Sequence, residues 1–145
     1  MGNALYGLKG MSSEHAEVRG VLQALTEKVS GCNEAFNAQQ VGNALYGLKG
    51  MSSVHAEVRE VLQALTEKVS GCRQALDAKA VGNALYGLKG MSSEHAEVRG
   101  VLLALTEKVS GCKEARDAQA VGNALLGLKG MSQSTPRRGE FCRHL

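Results

Sequence analysis

The sequence predicts an all-α fold, an α-solenoid of about three and a half antiparallel helical-hairpin repeats of 40 residues. Three observations predict it. The 40 residues from Met1 return at Val41 and again at Val81, with units one and two identical at 31 of 40 positions and units two and three at 33. Within each unit, apolar residues recur twice at the spacing of an amphipathic helix. No segment shows the two-residue alternation or β-branched density of a strand. A period of this length signals a stack of supersecondary units, each touching only its neighbours. The array is expected to cover 1–132, as units 1–40, 41–80, 81–120 and a partial unit 121–132, with a disordered tail over 133–145.

The first helix of unit two carries Val41, Ala44, Leu45 and Leu48 at positions i, i+3, i+4 and i+7. Asn37, Asp77 and Asp117 precede its copies as N-caps, and Gln40, three residues after Asn37, completes a capping box. Gly50, Gly90 and Gly130 are expected to stop it as C′ glycines. A Gly-Met-Ser-Ser turn follows, with Ser52 and Ser53 opening the second helix. That helix carries Val58, Val61, Leu62, Leu65 and Val69 and closes at Gly71. The short turn makes the pair an antiparallel hairpin. Gly20 and Gly100, where unit two has Glu60, fall on the solvent face of the second helix. The array ends on a lone first helix, because the repeat text is abandoned at Gln133 for a polar run containing Pro136.

With 3% aromatic residues and no Trp, the core must be built from Ala, Leu and Val. Such a core suits close helix packing and disfavours a large ligand cavity. No run of 18 apolar residues is present to span a membrane, and no charged leader precedes an apolar stretch. An N-myristoylation reading of Met1-Gly2 fails because Tyr6 stands where Ser or Thr is required. An intracellular, reducing compartment is expected. The net charge is +3, of which Arg137, Arg138, Arg143 and Glu140 in the tail supply +2, so the array lacks a strong basic footprint.

Recurring nucleophiles and metal ligands are confined to Cys32, Cys72 and Cys112 with His15, His55 and His95. Each His opens a second helix and each Cys follows its end, a separation of about 25 Å at helical rise. They cannot share a zinc, and neither a Cys-x-x-Cys pair nor a His-Glu-x-x-His pair occurs. Disulfides between units are not expected, because packed helices lie about 8–10 Å apart and a bridge needs Cα atoms within about 7 Å. The cysteines read as small buried fillers, and Cys142 in the tail as the reactive one. Ser53 and His55 read as helix-capping residues. A catalytic site needs different groups converging on one spot, whereas here one set of side chains is translated along an axis. No catalytic residues, metal or cofactor are expected.

What the repeat does offer is a surface. Opposite the apolar stripe, the first helices present Asn3, Asn43, Asn83 and Asn123; Tyr6, Tyr46 and Tyr86; and Lys9, Lys49, Lys89 and Lys129, flanked by Gln39, Lys79 and Gln119. Acids gather on the second helix instead, at Glu17, Glu57 and Glu97 among others. An aromatic ring, an amide and a cation repeated once per unit are the groups that recognise single-stranded RNA. The competing reading is that Tyr46 packs between neighbouring helices and Lys49 covers a helix C-terminus.

The segment Asn37-Ala-Gln-Gln-Val-Gly-Asn-Ala-Leu-Tyr-Gly-Leu-Lys-Gly50 resembles the opening of the octotricopeptide repeat, typically Pro or Ser, a polar stretch, Leu-Ala-Asn, then Leu-Leu-Trp-Ala-Leu-Ala. The second helix, with Val58, Leu62, Ala64 and Leu65, is similar to that family's second helix, and the resemblance covers residues 2–130. It implies an α-solenoid that binds RNA in organelle RNA maturation, stability or translation, without a cofactor. The unit departs from the family pattern in its slightly greater length, in Val41, Gly42 and Tyr46 for the usual Leu, Ala and Trp, and in lacking a Pro-rich opening to the second helix. No nuclease or RAP-type domain follows. Single-stranded RNA binding is thus the expected function. The alternative is a protein-interaction scaffold or a repeat fragment that associates end to end through its uncapped terminal helices.

Overall fold

A computed structural model describes residues 1–109. Over that span the regular structure is entirely helical: α1 (Gly2–Tyr6), α2 (Ala16–Gly31), α3 (Ala38–Tyr46), α4 (Ala56–Ser70), α5 (Ala78–Gly87) and α6 (Ala96–Val109). The expected helix in 121–132, the cap Asp117, Gly130, Cys112 and Cys142 lie outside the described residues. The odd-numbered helices pack on one another in chain order, as do the even-numbered ones, and α3 also touches α4. Two rows of helices result. Among the described residues no helix is long and apolar enough to cross a membrane.

Between the rows lies one hydrophobic cluster, which takes in Phe36, Met51, Met91 and Cys72 beside the expected alanines, leucines and valines. The expected stripes build it: Leu45, Leu48, Val58, Val61, Leu62 and Leu65 are each 1% exposed or less. Burial of this kind stabilises by about 1.5–3 kcal/mol per side chain. The capping box forms as the spacing predicts. Asn37 Oδ1 accepts from Gln40 N at 2.8 Å and Gln40 Oε1 accepts from Asn37 N at 2.9 Å. In the next unit Asp77 Oδ1 accepts from Ala80 N at 2.7 Å.

Three local expectations are corrected. The first helix ends before the C′ glycine, since α3 stops at Tyr46 and the chain reaches Gly50 through turns closed by Leu48 N to Leu45 O and Lys49 N to Tyr46 O. Gly10 and Gly50 then take positive φ, +82° and +89°, whereas Gly90 does not. The second helix begins at Ala56, not at the serines, with His55 as a backbone N-cap whose side chain makes no capping bond. Ser52 Oγ instead accepts from Val54 N at 3.3 Å inside the turn, and Ser53 reaches into the neighbouring unit. Finally, the cysteines are not uniformly buried. Cys72 is 2% exposed and Cys32 is half-buried at the end of α2.

Gly20 lies in α2 on its exposed side, where an added Cβ would have no atom within 4 Å. Helix propensity alone therefore decides its replacement. Gly20→Ala is expected to stabilise the protein by about 0.5–1 kcal/mol in urea unfolding followed by circular dichroism.

Candidate nucleic-acid interface

Rows of small residues on the odd-numbered helices bring their backbones close together. An added Cβ at Gly42 would lie 3.1 Å from Ala80 Cα, and one at Gly2 would lie 2.9 Å from Gln40 O. At Gly47 and Gly87 it would fall well inside van der Waals contact of the Leu5 and Leu45 carbonyls. This approach sets the spacing of every side chain on the outer face of the row.

Tyr6, Tyr46 and Tyr86 consequently form a column. Successive ring centroids are 5.7 Å apart with interplanar angles of 25° and 19°, within the range of offset-stacked aromatic pairs. All three rings are half-buried. The tyrosines thus pack against one another between neighbouring helices, and their inner faces are already occupied. Lysines line the column: Lys9 Nζ is 4.5 Å from the Tyr6 centroid, Lys89 Nζ is 5.0 Å from that of Tyr86, and Lys49 Nζ bridges Tyr46 and Tyr86 at 5.4 and 5.5 Å. The cation–π contacts of the half-buried Lys49 and Lys89 are each worth about 0.5–1 kcal/mol. Lys9 Nζ also donates to the Tyr6 hydroxyl at 3.1 Å, which holds its ammonium above the ordinary lysine value.

Asn43 and Asn83 are half-buried, while Asn3, Gln39 and Lys79 are exposed. Four of these meet between α3 and α5, where a groove of about 230 Å³ is lined by Gln39, Asn43, Lys79 and Asn83 with Gly42, Asp77 and Ala80. It is open because Gly42 and Ala80 are small, and its Asp77 carboxylate caps α5. Its walls offer amide donors and acceptors and the Lys79 ammonium. Gln119, Asn123 and Lys129 lie outside the described residues.

The even-numbered row uses its cations differently. Lys68 Nζ donates to the Cys32 and Glu34 carbonyls, and Lys108 Nζ to the Cys72 carbonyl at 2.7 Å. Arg19 pairs with Glu57 at 4.0 Å and Arg59 with Glu97 at 3.7 Å. Each bond joins one unit to the next. The same is true of the turn serines: Ser13 Oγ accepts from Ser52 N, and Ser53 Oγ from Ser92 N, both at 2.8 Å. His95 Nδ1 lies 2.9 Å from Ser53 Oγ, and His55 Nε2 lies 3.3 Å from Glu14 Oε1. Sequence reasoning read Ser53 and His55 as caps within one helix and so missed a junction between units. The available signal was the recurrence of the same serine, histidine, arginine, lysine and glycines in every unit.

No protein family, characterised protein or solved structure matches this chain.

Proposed function

We propose that the chain is an α-solenoid of about three and a half antiparallel helical hairpins over 1–132, and that the outer face of its first helices binds single-stranded RNA without catalysing a reaction. The observation that carries this reading is the division of cations between the two rows. Lys68, Lys108, Arg19 and Arg59 are tied up in contacts between units, whereas Lys9, Lys49 and Lys89 stand in line on the tyrosine column. In this reading the lysines follow the phosphates and the amides of the α3–α5 groove meet base edges. The column is a spine that spaces the lysines, because its rings already stack on each other. The octotricopeptide resemblance points the same way.

A fluorescently labelled pool of single-stranded RNA, titrated at several salt concentrations, tests it. Three phosphate contacts predict a slope of log K against log salt of about −2. Replacing Lys9, Lys49 and Lys89 by Glu should abolish binding, and Tyr46→Ala, which removes a ring supporting Lys49, should weaken it. Absence of binding at low salt would sink the proposal. The stacked ring faces favour the second reading, a protein scaffold, for which neither salt nor the lysine changes should alter partner binding.

A further inference from the structure

We infer that two copies of this chain join head to tail, with α2 of one copy and the turn before it seated on α6 of the other through the contacts that already join the even-numbered helices within the chain. Exposure along the repeat carries the argument, because the same residue in three copies reports what covers it. At the leading end, Met11 is 46% and Val21 47% exposed, whereas Met51, Met91, Val61 and Val101 are buried to 1% or less. Around them His15, Glu17 and Lys28 are exposed, while their counterparts in units two and three are at least half-buried against the preceding unit.

At the trailing end the pattern inverts. Ser93 and Arg99 are exposed, whereas Ser13 and Ser53 are 1% exposed and Arg19 and Arg59 are half-buried beneath the following unit. Leu102 is likewise more open than Leu22 and Leu62, and Val109 is 37% exposed where Val29 and Val69 are 1% or less. The two ends are therefore the separated halves of one interface. Its apolar centre is the valine and methionine set of unit one against Leu102 and Val109. Its polar register repeats two contacts that the chain shows twice, Arg99 to Glu17 as Arg19 to Glu57 and Arg59 to Glu97, and Ser93 to the Ser12 amide as Ser13 to Ser52 and Ser53 to Ser92, and one that it shows once, Ser93 to His15 as Ser53 to His95. Such a match selects a second copy over an unrelated partner, since an acid, a cation and a hydroxyl already stand at the required positions.

A contact between two different surfaces does not close on itself and gives open chains of subunits. Sedimentation of the full-length protein from micromolar to millimolar concentration should show an average mass that climbs through dimer without a plateau. Val21→Arg and Ser93→Arg each place a long cation where the buried counterparts leave no room, yet both positions are exposed in the single chain, so folding should be unchanged by circular dichroism. Each variant alone should be monomeric, and an equimolar mixture should give a one-to-one dimer and nothing larger, because each variant keeps one intact end. Glu17→Arg should weaken association, and adding Arg99→Glu to the same chain should restore it. Three outcomes overturn the inference: a protein that stays monomeric up to millimolar concentration, a dimer that survives both arginine variants, or a mixture that does not pair.

Discussion

Gly87→Ala is expected to lower the unfolding free energy by about 3 kcal/mol or more, the largest effect of an added methyl group among the described residues. The added carbon at Gly87 would meet the Leu45 carbonyl carbon and oxygen and Tyr46 Cα, all of them backbone. Overpacking against a flexible side chain costs about 1–3 kcal/mol; here no rotamer change can make room. α3 cannot retreat, because α1 packs on its other side and α4 beneath it. The substitution must therefore separate α5 from α3 and expose the hydrophobic cluster between them. Gly47→Ala creates the same clash with Leu5, but α1 is a five-residue terminal helix that can move away, so its cost should be smaller. Urea denaturation of Gly87→Ala beside Gly20→Ala checks the idea. Equal stabilities for the two variants would show that the helices are not in backbone contact.

Ser53→Ala should cost about 2 kcal/mol, a large loss for one oxygen atom. The hydroxyl is 1% exposed and accepts from the Ser92 amide while meeting His95 Nδ1. With the neutral Nε2–H tautomer the hydroxyl donates to Nδ1, so both its donor and its acceptor capacity are engaged. Removing it strands the amide of the buried Ser92 and takes a partner from the half-buried His95 imidazole, and an unsatisfied buried group costs about 1–3 kcal/mol. Ser93→Ala supplies the control, because that serine occupies the same place in its unit but is exposed. Its effect should stay within about 0.5 kcal/mol. A double-mutant cycle of Ser53→Ala with His95→Ala should show coupling across the junction. Additive losses would contradict the shared bond.

The helices were legible because their causes are local. Val58, Val61, Leu62, Leu65 and Val69 share one helix face by spacing alone, and Asn37 and Gln40 form their capping box within four residues. Where local reasoning erred, a side chain had two partners within reach and the distant one won. Ser53 lies close enough to its own helix start to cap it, but its hydroxyl accepts from the Ser92 amide of the next unit instead. Gly47 and Gly87 looked like ordinary residues near a helix end. Their importance comes from carbonyls about 40 residues earlier in the chain.

The surface residues divide in the same way. The sequence places Asn, Tyr and Lys on one side of each first helix, because a 3.6-residue period leaves them opposite the apolar stripe. It does not say how far one such helix stands from the next. Had the spacing been wider, the tyrosines would be separate platforms for bases; at the distance the glycines allow, they stack on one another and carry the lysines with them. By itself, then, the sequence determined the helices, the N-caps Asn37 and Asp77 of the first helices, the buried faces and the fact of repetition, all of which follow from neighbours along the chain. Only the tertiary structure decided the contact between units, and with it which glycines are indispensable, which serines are buried and which cations remain available. That contact depends on the distance between backbones, a quantity fixed by packing and by no single unit.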